Sequence, residues 1–173
     1  GDIVGFSKDI SHSFMDIAEK KNIRFSFSSE IDSLEICFDR DKVEKILFNL
    51  LSNAFKYTHD HGTVSVNLAY NPPANNADDG MLVIEIKDTG IGIPAGMQEK
   101  IFERFFQTDV PESMVNQGTG IGLAITKEFV RLHNGIITVK SEPEQGTCFT
   151  VLLPAKKIYD TLPRTALSQV QVK

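Results

Sequence analysis

Asn49, Asn53 and Lys56 recur one turn apart in the stretch Asn49-Leu-Leu-Ser-Asn53-Ala-Phe-Lys56-Tyr57. At about 100° per residue they share a helical stripe roughly 60° wide. Two amide oxygens and an ammonium on one stripe suit a metal–phosphate complex. The oxygens can complete the shell of Mg²⁺, which keeps several waters and takes few protein ligands. The lysine can meet a phosphate as a point charge. A solvated helix flank would use the same residue types, but asparagine is a mediocre helix former and two of them a turn apart ask for a reason.

Three further stretches carry chemistry. In Asp88-Thr-Gly90-Ile-Gly92-Ile-Pro94 the aspartate ends a strand-like run and shares a face with Leu82, Ile84 and Ile86. Its carboxylate is aimed at the apolar layer and must find donors there; a ligand's exocyclic amino group is one. Gly90 and Gly92 would let backbone approach a planar ring. A plain Asp-Thr-Gly turn is the alternative. In Gly118-Thr-Gly120-Ile-Gly122-Leu-Ala-Ile125 glycines run straight into a helix, where free N–H groups and the helix dipole attract anions. Position 123 is Leu, so G-x-G-x-x-G from Gly118 fails, and no G-x-x-x-x-G-K-[ST] occurs. In Ile101-Phe-Glu-Arg104-Phe-Phe106 the aromatics read as anchors, and Arg104 as an always-charged donor able to reach a terminal phosphate or to remain at the surface.

The elements that must position these residues follow from periodicity. Ile3, Phe6, Ile10, Phe14 and Ile17 make a helical stripe over 2–20. Ile23 to Ser28 and Leu34 to Phe38 read as short strands. Asp41 with Glu44 forms a capping-box pattern that opens the strongest helix, with Val43, Ile46, Leu47, Leu50, Leu51 and Ala54 on one face. Thr63 to Tyr70 and Met81 to Asp88 are strands joined by a polar loop. A helix runs from about Ile121 to His133 and closes on Asn134-Gly135; Ile136 to Lys140 and Thr147 to Leu153 form a last strand pair turning at Gly146. This order predicts an α+β fold, a two-layer α/β sandwich with a mixed sheet of about five strands and helices on one face. Residues 1–154 read as one domain and 155–173 as a linker or tail.

Bulk properties narrow the function. The 173 residues carry a net charge of −5 and no dense basic patch, which argues against nucleic acid. No apolar run approaches a membrane span, so direct membrane contact is not expected and the piece reads as cytoplasmic, including as the cytoplasmic part of a membrane-anchored sensor. Cys37 and Cys148, the only cysteines, sit in strand-like apolar stretches and read as buried reduced thiols.

Taken together, in order and spacing, these stretches resemble the histidine-kinase branch of the GHKL ATPase superfamily, which has the Bergerat ATP-binding fold. Phe48-Asn-Leu-Leu-Ser-Asn-Ala-Phe-Lys-Tyr-Thr58 is similar to the family's N box, and the Asp88, Ile101 and Gly118 stretches to its first glycine box, F box and second glycine box. Gly146-Thr-Cys-Phe149 is similar to its last Gly-Thr pair. The resemblance implies that ATP binds between the long helix and the glycine boxes, with Asn49 and Asn53 on Mg²⁺ and Lys56 and Arg104 on phosphates. It implies Tyr57 against adenine, Asp88 on the adenine amino group, and Ile93, Thr119, Ile121, Leu123 and Thr147 around the nucleotide. Gly118, Gly120 and Gly122 would cradle phosphates, and 95–119 would form a lid anchored by Phe102, Phe105 and Phe106. The partners implied are a histidine-containing dimerisation domain of the same kinase and, downstream, a response-regulator receiver domain.

Four histidines are present, His12, His59, His61 and His133, and none lies in the family's acceptor pattern His-Glu-x-x-Arg-Thr-Pro. The acceptor is therefore expected on another domain. The competing readings are a GHKL-type ATPase and an anti-sigma serine kinase. The F box with Arg104 argues against the second. Against the first, the hydrolysing relatives carry a glutamate where this chain has Asn49, and an amide cannot take a proton from water. General-base catalysis contributes about 10²–10⁴-fold, enough to decide between transfer and hydrolysis. In an Asn49→Glu variant that still binds ATP, hydrolysis should rise above wild type while transfer to a supplied histidine domain does not. Wild-type turnover of ATP at about 1 s⁻¹ or faster, the range of ordinary enzymes, would favour the ATPase reading instead.

Overall fold

A computed structural model describes residues 1–75, 79–106 and 121–156. The element order is α1 (Ile3–His12), α2 (Met15–Lys20), β1 (Arg24–Ser29), α3 (Arg40–Tyr57), β2 (Thr63–Asn71), β3 (Gly80–Asp88), two 3₁₀ turns (Ala95–Met97 and Lys100–Phe102), α4 (Gly122–Leu132), β4 (Ile136–Glu142) and β5 (Gly146–Ala155). The five strands form one sheet in the order β1-β2-β3-β5-β4. β1 and β2 are parallel, joined by the crossover that contains α3, and the other pairs are antiparallel. This is the expected mixed five-stranded α+β sandwich.

Alternation builds the sheet face that meets the helices. Val64, Val66 and Leu68 of β2, Leu82, Ile84 and Ile86 of β3, and Phe149, Val151 and Leu153 of β5 are all buried. The opposite face carries exposed Asn67, Glu85, Lys87, Thr138 and Lys140. α3 buries Val43, Ile46, Leu47, Leu50, Leu51, Ala54 and Phe55, alternating steps of three and one that keep one face in the core. Phe55 stacks on Phe14 at 5.6 Å and meets Phe25 edge-on at 5.2 Å.

Several local expectations change. The stripe over 2–20 is two helices. Ser13 donates its hydroxyl to Ile10 O at 2.6 Å and caps α1, competing with the backbone ladder; Ile17, in α2, is exposed. Leu34 to Phe38 is not a sheet strand. Leu34 and Ile36 are buried, but their backbone pairs with the chain start: Ile3 N–H donates to Leu34 O at 3.0 Å and Ile36 N–H to Gly1 O at 3.2 Å. The capping box at Asp41 and Glu44 is replaced by Asp39, whose carboxylate accepts from Lys42 N–H at 3.1 Å. Cys37 is exposed and Cys148 half-buried, because Cys148 lies on the sheet's outer face; burial still pushes its thiol up, with Glu85 adding to it. The last strand continues through buried Ala155, and Cys37 N–H donates to Lys156 O at 3.1 Å. Residues 157–173 lie outside the described residues.

The end of α4 matches its expectation. Asn134, at φ 56°, takes the left-handed position, Gly135 N–H donates to Val130 O and Asn134 N–H to Arg131 O, both at 2.9 Å. Gly135 is needed for a second reason, since a Cβ there would collide with Leu152 O and the Leu153 side chain. Gly135→Ala should therefore cost about 1–3 kcal/mol in urea unfolding, the range for overpacking. Gly96→Ala, with nothing within 4 Å of the added carbon, should stay within about 0.5 kcal/mol of wild type.

Candidate nucleotide-binding site

The site is built where the C-terminal half of α3 meets the end of β3 and the start of α4. Asn49, Asn53, Lys56 and Tyr57 are half-buried at the border of α3's core face. The Asn49 amide nitrogen donates to Gly122 O at 3.2 Å and to Thr126 Oγ1 at 3.3 Å. Among the described residues its Oδ1 has no hydrogen-bond donor, and the Asn53 amide makes no hydrogen bond. Two neutral amide oxygens left over by the protein fit Mg²⁺ as the donor set expected from sequence. Lys56 Nζ stands 5.1 Å from the Tyr57 ring centre, so these two side chains are neighbours.

Asp88 ends β3 opposite Thr147 of β5 and is 6% exposed. Its Oδ1 accepts from Gly90 N–H at 2.8 Å and Thr147 N–H at 3.3 Å. Burial lifts its carboxyl to about 6, against the pull of those two bonds. Both bonds use one oxygen; among the described residues Oδ2 has no donor. An oxygen of a largely buried carboxylate that has no protein donor fits an incoming amino group.

The loop after Asp88 is locked onto α3 and onto the β4–β5 hairpin. Ile91 N–H donates to Tyr57 O at 3.2 Å, Glu144 N–H to Ile91 O at 2.8 Å and Ile93 N–H to Ser141 Oγ at 2.8 Å. A Cβ on Gly90 would collide with Tyr57 O, and one on Gly92, at φ 70°, with Glu142 O. This need for glycine is internal to the fold and stands beside the expected approach to a ring. Ser141 Oγ also donates to Gly146 O at 2.9 Å and lies 2.8 Å from Thr147 Oγ1, and Gln98 Nε2 donates to Ser141 O at 2.7 Å. The contacts of Ser141 and Gln98 that join this loop to the hairpin span 48 and 43 residues, beyond the reach of local sequence pattern.

Ile93 and Leu123 are half-buried against the core. Ile121 is the N-cap of α4 and supplies no side-chain cap, so among the described residues no side chain caps the first N–H groups of that helix, which suit an anion. Gly122 opens the helix beside Asn49. Gly118, Thr119 and Gly120, and the expected lid beyond Phe106, lie outside the described residues. Of the aromatic anchors, Phe102 packs edge-on against Phe149 at 6.2 Å and Phe106 is half-buried, whereas Phe105 is 72% exposed at φ 63° and anchors nothing. Arg104 is exposed. Glu128 is held below the usual carboxylate range by its hydrogen bond from Arg131, and Arg104 adds a smaller attraction, which places it near the outer side of α4. Among the described residues it makes no hydrogen bond or ion pair.

With this geometry, the profile of the family described as "Histidine kinase-, DNA gyrase B-, and HSP90-like ATPase" matches residues 38–157. The chain belongs to that family. Among its relatives, histidine kinase P4 of Formosa agariphila is 38% identical over 157 residues, 89% of this chain and 11% of the relative. This chain thus spans only a small part of that protein's length. The catalytic domain of histidine kinase ThkA matches with a TM-score of 0.75 at 25% identity, covering 90% of this chain and 94% of that one. Full-length ShkA, solved in complex with AMPPNP, matches with a TM-score of 0.75 at 27% identity, covering 91% of this chain and 31% of that one. Among the described residues no helix is long and apolar enough to cross a membrane.

The Asp88 carboxyl yields a pH test. Its folded value, about 6, lies above the usual 3.8, so between those values the folded state holds more protons than the unfolded one and stability falls as pH rises. The gap corresponds to about 3 kcal/mol at full effect. In urea unfolding, the stability of Asp88→Asn relative to wild type should be greater at pH 7 than at pH 4. A difference independent of pH would show that Asp88 titrates as an ordinary carboxyl.

Proposed function

We propose that this chain binds Mg-ATP and transfers the γ-phosphate to a histidine on a separate dimerisation domain, from which a receiver domain takes it onward. The observation that carries the reading is Asn49, an amide with its nitrogen engaged by α4 and its oxygen left over, at the turn where a hydrolase would hold a carboxylate. In the proposed complex Asp88 accepts from the adenine amino group through Oδ2. Tyr57 packs on the ring, with Ile93, Leu123 and Thr147 completing the pocket. Asn49 and Asn53 hold Mg²⁺, and Lys56 and Arg104 meet phosphates. The glycines at 118, 120 and 122, with Thr119 and Ile121, cradle the phosphate chain at the start of α4. When bound, Mg²⁺ would supply charge neutralisation at the phosphates. With no base on α3 facing that position, water is not activated, and a nucleophile brought by another domain is favoured. The relatives' names and the AMPPNP-bound neighbour support the same assignment.

The deciding experiment supplies γ-labelled ATP and a dimerisation domain carrying an acceptor histidine. Acid-labile, alkali-stable label should appear on that domain and not on this chain; label on His12 would overturn the domain reading. ATP should also bind better than GTP, because guanine presents a carbonyl where Asp88 needs a donor. Asp88→Asn should weaken ATP binding by about 1–3 kcal/mol, the cost of mispairing a buried charge-assisted bond. Equal affinities for ATP and GTP in calorimetric titrations would remove Asp88 from the base-reading role.

A further inference from the structure

Thr126 lies one turn into α4, is 0% exposed, and is not among the residues expected to touch nucleotide. Its Oγ1 donates to Gly122 O at 2.8 Å. A hydroxyl has one hydrogen, and this bond uses it. Toward the Asn49 amide, 3.3 Å away, Oγ1 can then only accept. Gly122 O, 3.2 Å from the same Asn49 nitrogen, is a carbonyl and also only accepts. Two acceptors side by side select the NH₂ end of an amide and repel its oxygen end. The choice between the two ends of the amide is therefore made by chemistry. Asn49 Oδ1 is confined to the other branch of the amide, where among the described residues it has no protein donor.

We propose that Thr126 is a positioning residue that holds the Asn49 oxygen in the orientation required of a metal ligand. The inference rests on the reading of Asn49 as a Mg²⁺ ligand. On this view the affinity for Mg²⁺ is set partly on α4, by a hydroxyl that touches neither metal nor nucleotide, in the way that partners of metal ligands generally tune their sites. It also ties metal binding to the helix whose first turn would meet the phosphates in the proposed complex. A shift of α4 away from α3 removes both acceptors at once and frees the amide to turn. Nucleotide held without metal does not use Asn49 Oδ1 and is indifferent to Thr126.

Thr126→Val keeps the shape and deletes the acceptor, whereas Thr126→Ser keeps the hydroxyl. The readout is binding of a fluorescent ATP analogue to the 173-residue chain, titrated with Mg²⁺ and repeated in EDTA. In Thr126→Val the Mg²⁺ concentration for half-maximal enhancement should rise about 10-fold, the low end for partners of metal ligands, while binding in EDTA stays at the wild-type level and Thr126→Ser behaves as wild type. A valine variant with unchanged Mg²⁺ dependence, or one weakened equally with and without Mg²⁺, overturns the proposal. Wild-type binding that ignores Mg²⁺ overturns it in a different way, by removing the metal role of Asn49 itself. A measurement that needs no variant is the side-chain amide of Asn49 in the ligand-free chain by NMR. Hydrogen exchange slowed relative to exposed asparagines supports the arrangement, and exchange at the rate of a free amide refutes it.

Discussion

A carboxylate in an apolar layer imposes conditions on everything around it, and Asp88 is in that position at the end of the central strand. Two backbone N–H groups satisfy one of its oxygens, one from the loop that follows it and one from β5. For Gly90 to donate, the chain must turn sharply after the strand. For Thr147 to donate, the β4–β5 hairpin must close against that same turn. Both requirements force backbones into contact, and the glycines at 90, 92 and 146 are where a Cβ would prevent it. The carboxyl nonetheless sits well above its usual value, so the protein has not fully compensated its burial. A site that leaves a largely buried carboxylate short of a donor is less stable than it could be and is prepared for a ligand that supplies one.

α3 links this carboxylate to the phosphate end of the site. One of its faces is core and its border is functional, so the packing that holds the helix also aims Asn49, Asn53 and Lys56. Its ends are fixed by distant residues. Lys21 Nζ donates to Phe55 O at 2.5 Å and Thr58 O at 3.0 Å, a cation on the carbonyls at the negative end of the helix. At the other end Asp39 N–H donates to His133 Nε2 at 3.3 Å, while His133 Nδ1 lies 2.8 Å from Phe129 O. Because Nε2 accepts from a backbone N–H, the proton belongs on Nδ1, and one neutral imidazole joins the start of α3 to the end of α4. The two helices that flank the proposed phosphate position are thus braced at Asn49 near one end of α4 and at His133 near the other.

What could be read from the sequence was whatever repeats locally. The seven buried positions of α3 recur at helical spacing, and the alternation in β2 and β3 marks their core faces, so both the helix and the burial of Asp88 were foreseeable. Leu34 and Ile36 alternate as a strand would and are buried as a strand's would be; alternation says nothing about which backbone pairs with them, and here it is the chain start. Asp39 and Asp41 both precede the helix, and local pattern does not decide which one caps it. Phe102, Phe105 and Phe106 look equivalent in sequence, yet a left-handed backbone at Phe105 turns it outward. Thr126 and Ser141 act on partners far along the chain, Asn49 at a separation of 77 residues and Ile93 at 48. Thr126 had a usable signal, its position four residues after Gly122 on the same helical face; Ser141 had none.

The choice between transferring phosphate and hydrolysing ATP turns on what else could serve as a base once Asn49 is an amide. α3 contains two carboxylates, Asp41 and Glu44. Glu44 lies five residues before Asn49, which turns it about 140° around the helix axis, away from the functional border, and it is exposed. Asp41 is eight residues away, about 12 Å along the axis, and is also exposed. Neither can meet a water held beside Asn49 without unwinding a helix whose opposite face is the core. Asp88 is committed to two backbone N–H groups at the other end of the pocket. Among the carboxylates of α3 and β3, acquiring a base would therefore require a change at position 49 itself rather than a rearrangement of these neighbours, and the helix that fixes this position buries seven side chains in the core.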